Sequence, residues 1–433
     1  MRELEPISFD RTLRDAAIAI ERRTAKGEPV QDALPDELFD EETLAWLREL
    51  RGKDALAEAL ELWLLRIREQ AELGARRAEL GYAHRVTLHA VMEPEKTELP
   101  LAEILNRSLA RPRERGAYLR SYFASSAELA ELVTRLWEER QMFAERLKAP
   151  LDSFEVVSAA LVPSARSFLA DTHAAYETLA VHDAESFLSA ALAESAHQGW
   201  PARLSPRSVT ELIDRLWLDG LRVRPFALPQ ARGGSSFLLA LAQLGRALSD
   251  AASALGAPFV LARDVFDLRR NELGALLGSL PVSWAFATKQ LGLGSSNTTD
   301  HVRALARALL VDARVAAFRV LLRELLAGGP GAVRRDLAEL SHTALGFELP
   351  REVVGAFIRV RPRDSQRFAG ILLAASRHEA LVQTHDDDWF RNPRAIRELR
   401  AELGEPAPGE PSQDALSAGA RALRARLEPL LGG

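Results

Sequence analysis

Leu and Ala recur at three- and four-residue intervals, with Arg and Glu between them, through most of the 433-residue chain. That spacing predicts a mainly α protein, because it lines one face of successive helical turns. Two further observations agree: strand-like alternation is scarce, and a 47% hydrophobic, 27% charged composition is that of a globular chain with ample core material. The expected body is multi-helical with little β-sheet.

Taken in order, the first clear helix begins near Asp40 and carries Leu44, Trp46, Leu47 and Leu50. A second, with Leu62, Trp63, Leu65 and Ile67, is expected to run to about Leu80. Leu132, Leu136, Phe143 and Leu147 mark a third, stopped by Pro150. The best-defined helix spans about Asp300 to Leu326, with Asn297, Thr298 and Thr299 placed to cap its start and Gly328, Gly329 and Pro330 to end it. Its middle, Val311 to Leu322, is apolar on most faces, so it should be central and buried. Pro, Gly and Ser cluster at 93–100, 149–153, 225–236, 292–299 and 404–413, which predicts loops. Residues 1–150 are expected to form an N-terminal lobe, 151–403 a second helical domain, and 404–433 a C-terminal loop and helix.

The absence of cysteine removes disulfides, iron–sulfur clusters and thiol nucleophiles together. A net charge of −5 gives no support to nucleic-acid or anionic-membrane binding. Only five of the 56 basic residues are lysine, a bias that reads first as codon composition. Met1 to Arg14 mixes Glu, Asp and Arg without an apolar core, and no uncharged run is long enough to span a bilayer. The expectation is a soluble cytoplasmic protein without a cofactor.

The most informative stretch is residues 233–250, GGSSFLLALAQLGRALSD. It resembles the active-site helix of the zinc metallopeptidases related to oligoendopeptidase F and thimet oligopeptidase, members of the gluzincins, where the motif reads HExGHAL. Laid on that pattern, Ala242 stands at the first His, Gln243 at the Glu, Gly245 at the Gly and Arg246 at the second His. Two His four residues apart share a helical face and hold Zn²⁺, while the Glu activates metal-bound water. Ala242 has no donor atom, Gln243 cannot accept a proton, and Arg246 places a cation where the metal would lie.

The resemblance implies a third ligand on a later helix, and Glu272, 26 residues beyond Arg246, falls close to the family's interval. A pairing of Arg246 with Glu272 in place of zinc is the expectation that follows. A further stretch, residues 363–395, resembles the C-terminal region of bacterial relatives, with Arg367 and Phe368 where a Tyr is expected and Trp389 at its end. Phe368 and His378 are then expected to line the cleft. The tyrosines, Tyr82, Tyr118, Tyr122 and Tyr176, all precede the motif helix, so nothing after it supplies the phenol that steadies a tetrahedral intermediate.

Other constellations read as structural. His84 and His89 are five apart and do not share a helical face, so surface or capping roles are expected. The His385, Asp386, Asp387, Asp388 run precedes a helix start, where Asp complements the dipole. The 292–297 stretch, GLGSSN, lacks the strand and GK[ST] of a phosphate loop and reads as a helix entry. Arg111, Arg113, Arg115 and Arg120, with Tyr118 and Tyr122, form the most basic local patch, expected to be a solvated face. The function that the resemblance implies is that of a catalytically inactive peptidase-like protein holding a peptide or partner protein in the former cleft. The alternatives are a metal-free enzyme with a repurposed site and an unrelated helical scaffold.

Overall fold

A computed structural model describes residues 5–431 except 27, 29, 31–33, 55, 149–159, 197–198, 253–257, 263–267, 351–363, 404 and 406–410. The protein is mainly helical, with one antiparallel hairpin as the sheet among the described residues. No helix among them is long and apolar enough to cross a membrane.

A helix the sequence reading passed over opens the chain. α1 (Pro6–Lys26) buries Phe9, Leu13, Ala16, Ala17 and Ile20, a stripe at helical spacing between charged residues. It packs with α2 (Glu41–Leu50) and α3 (Ala57–Glu72) around Leu44, Leu47, Leu60, Trp63 and Leu64. The helix expected to continue to Leu80 breaks at Leu73, and α4 (Gly74–Arg85) follows it directly. Strand β1 (Leu88–Val91) precedes the expected loop and β2 (Thr97–Pro100) occupies its second half, pairing Leu88 with Pro100 and Val91 with Thr97. With α5 (Leu101–Ala110), α6 (Arg115–Ser125) and α7 (Ala127–Arg146) they enclose a small core of Val91, Ile104, Tyr118, Tyr122 and Leu129.

The large core begins at Trp137 and draws on α8 (Leu161–Asp171), α9 (Ala184–Leu192), α10 (Gly234–Ala252), α11 (Leu268–Ser279), α12 (Ser295–Ala327), α13 (Gly329–Leu345), α14 (Asp364–His385), α15 (Pro393–Leu403) and α16 (Gln413–Leu431). As its composition predicts, α12 is central: it touches α8, α9, α10, α13, α14 and α16, and Ala313, Arg314, Ala316, Ala317 and Phe318 are all buried. Its cap is Gly294 rather than the expected Asn297 to Thr299, which lie in its first turn. There the Thr298 hydroxyl donates to the Gly294 carbonyl at 2.9 Å. Beside α12, the helices α10, α11, α14 and α16 pack one on the next.

The arginine bias has a structural use. Arg48 donates to the Leu147 carbonyl at the end of α7, Arg269 to Leu403 at the end of α15, Arg303 to Leu430 in the last turn of α16, and Arg426 to Ser279 at the end of α11. Arg314 serves two helices at once, through Leu169 of α8 and Ala344 of α13. The last carbonyls of a helix lack intrahelical partners and carry the negative end of its dipole. A planar guanidinium can fork across several of them where an ammonium cannot.

Candidate functional site

α10 enters through two glycines. The Gly234 amide donates to the Ala193 carbonyl at 3.1 Å, and the Ser236 hydroxyl accepts from the Arg232 amide at 3.0 Å, which sets the helix direction. Phe237, Leu238, Leu241, Leu244 and Leu248 then face the core. Ala242, Gln243 and Arg246 lie with Leu239 on the opposite, partly exposed stripe. The two positions four residues apart, Ala242 and Arg246, lie on one face of this helix, and Gln243 stands beside them.

Gly245 lies against α11. A Cβ at 245 would sit 2.6 Å from the Leu273 carbonyl oxygen, and one at Gly274 would sit 3.0 Å from both the Ala242 carbonyl oxygen and the Arg246 Cγ. The two backbones therefore touch, and the aliphatic stem of Arg246 lies across Gly274.

Glu272 is elsewhere. At ~100° per residue it stands about 200° around α11 from Gly274, turned from α10 toward α14. There Arg377 Nε lies 3.6 Å from its carboxylate, and Arg377 also makes a forked pair with Glu402 of α15. Burial pushes the Glu272 carboxyl above its ordinary range, with Arg377 opposing that shift. The expected Arg246 to Glu272 pair is thus corrected: the carboxylate's partner is Arg377. An interval along the chain sets distance, whereas azimuth decides which neighbour a side chain meets. By azimuth Asn271, about 60° from Gly274, lies nearer α10. It is buried beneath Gly370 of α14, with an amide nitrogen that no described group accepts from. Helical phase around Gly274 and Gly278 could have singled it out.

Both residues expected at the cleft are buried. Phe368 is fully buried, edge-on to Phe168 at 5.6 Å. His378 is buried too, and its Nδ1 accepts from Trp389 Nε1 at 3.2 Å. Burial, with Arg426 adding to it, pushes His378 down to about 2, so it is neutral. Both are core residues because α14 runs between α11, α12 and α16.

Most of the other polar groups singled out from the sequence have structural partners. His84 and His89, expected in surface or capping roles, are buried; His84 stands in the last turn of α4, edge-on to Tyr122 at 6.4 Å. His385 bonds Glu398 at 3.0 Å, Asp387 accepts from the Ala285 amide at 3.3 Å, and Asp388 pairs with Lys289. The acidic run therefore serves a neighbouring turn and not the helix it precedes. Arg111 pairs with Glu95 and Glu114, and Arg115 is buried on Glu194, so the basic patch is largely neutralised. The Tyr176 hydroxyl donates to the Leu345 carbonyl at 2.7 Å. Among the described residues no three His, Cys, Asp or Glu side chains converge on a metal position. The motif residues do not fit zinc: Ala242 offers no donor, Arg246 offers a cation, and Glu272 points away.

No family model matches the chain, and no curated protein matches it.

Proposed function

We propose that the protein is a non-hydrolytic helical body that holds a peptide or partner protein against the partly exposed stripe of α10. The observation that carries this reading is that Ala242, Gln243 and Arg246 share that stripe with the exposed Leu239, at a crossing with α11 close enough to need glycine on both helices. An exposed apolar side chain beside a neutral amide suits a peptide's side chain and backbone. They do not suit bond cleavage, which needs an activated nucleophile. The orientation of Glu272 favours a second reading, a helical scaffold unrelated to peptidases, in which the stripe has no inherited role.

Elemental analysis of purified protein should find no stoichiometric zinc, and a fluorogenic peptide library should remain uncut. Fluorescence anisotropy against labelled peptide pools should show binding that Leu239→Glu and Arg246→Glu each weaken at least tenfold. About one zinc per chain with hydrolysis would overturn the non-catalytic reading. Binding indifferent to both substitutions would favour the unrelated scaffold.

A further inference from the structure

Two buried histidines on different helices are joined by an unbroken run of ring contacts. His301 of α12 lies 5.4 Å from Trp200, which stacks on Phe237 at 4.3 Å and meets Phe286 at 6.2 Å. Phe286 meets Phe390 at 5.6 Å, Phe390 lies edge-on to Trp389 at 6.4 Å, and Trp389 lies 6.1 Å from His378. The middle ring, Phe286, opens a π-helical turn, Phe286–Gln290. Such turns are rare, short, and recur at functional positions. This one is tied from outside by the Lys289 to Asp388 pair, by Asp387 on the Ala285 amide, and by Gln290 donating to the Glu211 carbonyl.

Neither histidine has a place for a second proton. His301 is 2% exposed, and both its ring nitrogens are buried without a hydrogen-bond partner among the described residues. Burial alone pushes it down to about 4, and no carboxylate among the described residues offsets it. Its own helix carries Asp300 and Arg303, the π turn carries Lys289, already paired, and Trp200 and Phe237 present only rings. At His378 the lone pair of Nδ1 is taken by Trp389, so protonation there would set N–H against N–H. Arg426 of α16 faces His378 with a second cation. The nearby acids are engaged or outside: Asp388 with Lys289, Glu398 with His385, Asp387 on Ala285, and Glu379 exposed on the same helix.

We infer that this run of rings is an acid-sensitive latch: protonation of His301 and His378 in mildly acid solution breaks the ring contacts at both ends and releases the π-helical turn while the rest of the helical body holds. The coupling follows from linkage. A histidine held neutral when closed and free to titrate when open multiplies the open population by about 30 at pH 5.

Hydrogen exchange of the full chain, read by mass spectrometry and corrected for intrinsic rates, tests this between pH 7 and pH 5. Peptides covering 284–291 should gain at least tenfold in opening while α12 beyond its first turn and far-UV helicity stay constant. His301→Phe, which keeps a ring, and His378→Gln, which keeps an acceptor for Trp389, should each reduce the gain, and together abolish it. An unchanged gain in the double variant would overturn the proposal. So would no gain in the wild type, or opening of α12 in step with the turn. Should the double variant fail to fold, side-chain NMR of the wild-type histidines decides: His301 or His378 gaining a proton between pH 7 and 5 without altered Trp200 and Trp389 signals would overturn it equally.

Discussion

Glu272 turns its carboxylate to Arg377, 3.6 Å away, and Arg377 holds Glu402 as well, so one cation serves two carboxylates where α11, α14 and α15 meet. Glu272 is the more buried of the two acids. Its raised pKa means that the folded state keeps a proton the unfolded state releases. The resulting stability is present below the ordinary glutamate value and is lost as pH rises through the folded value. Arg377→Met removes the main compensation. At pH 7.5 it should cost about 1 kcal/mol or somewhat more, because Arg377 is itself partly open to water. That cost should shrink toward pH 5 as Glu272 protonates. Glu272→Gln should be near neutral, since Arg377 keeps Glu402, and adding it to Arg377→Met should recover most of the loss. Urea unfolding at both pH values measures this; an equal Arg377→Met penalty at each would show that Glu272 is not the stranded group.

Arg314 is fully buried, and none of the described carboxylates pairs with it. It donates to the Ala344 carbonyl at 3.0 Å, the Leu169 carbonyl at 2.9 Å and the Thr172 hydroxyl at 2.7 Å, and lies 4.3 Å from the centre of the Tyr176 ring. Burial lowers it only to about 10, so it stays charged at neutral pH, held by two helix C-termini and a π face. Arg314→Lys keeps the charge but loses the fork, and should cost about 2–4 kcal/mol. Arg207→Lys, at an exposed i,i+4 pair with Glu211, should leave stability essentially unchanged. Equal denaturation midpoints for the two variants would mean that charge alone matters at Arg314.

Asp10 joins segments about 250 positions apart. Both its carboxylate oxygens accept backbone amides, those of Phe259 and Val260, at 2.9 Å each, at the start of the short helix Phe259–Ala262. This is a helix cap supplied from α1 instead of from the preceding residue. Asp10→Ala should cost about 1–2 kcal/mol. Hydrogen exchange should show the loss first at residues 259–262. Protection there equal to wild type would show that ring packing of Phe259 on Trp63 holds the segment without the cap.

The parts of the fold that were legible are those where one helix decides its own environment. The middle of α12 reads as central because it is apolar on most faces, and it is. α1 was equally readable, since Phe9, Leu13, Ala17 and Ile20 keep helical spacing, but the dense charges among them masked the stripe. The strands, four residues each, are too short to show alternation. At the candidate site, the shared face of Ala242, Gln243 and Arg246 follows from one helix's periodicity. The partner of Glu272 does not, because it depends on how α11 is rotated between two neighbours. That rotation is set at the glycine crossing. Nor does sequence show that the arginine excess serves helix ends, since carbonyl acceptors belong to every residue type.

The glycine crossing gives the last prediction. A methyl at residue 245 would meet backbone, with the Leu273 carbonyl oxygen at 2.6 Å and the Gly274 Cα at 3.0 Å, and backbone yields less readily than a flexible side chain. Gly245→Ala should therefore force α10 and α11 apart and cost about 1–3 kcal/mol, despite the helix propensity that alanine adds. Gly331, inside α13, has nothing within 4 Å of its Cβ position, so Gly331→Ala should leave stability unchanged or raise it by up to about 1 kcal/mol. The two substitutions are chemically identical and differ only in what the methyl meets, which removes propensity from the comparison. Because the crossing also sets the stripe carrying Gln243 and Arg246, peptide binding should weaken in folded Gly245→Ala and stay constant in Gly331→Ala. Thermal midpoints and anisotropy on both proteins measure the two effects. A Gly245→Ala protein as stable as wild type would mean that the helices are not in backbone contact. One that is destabilised yet binds normally would place the binding surface away from α10.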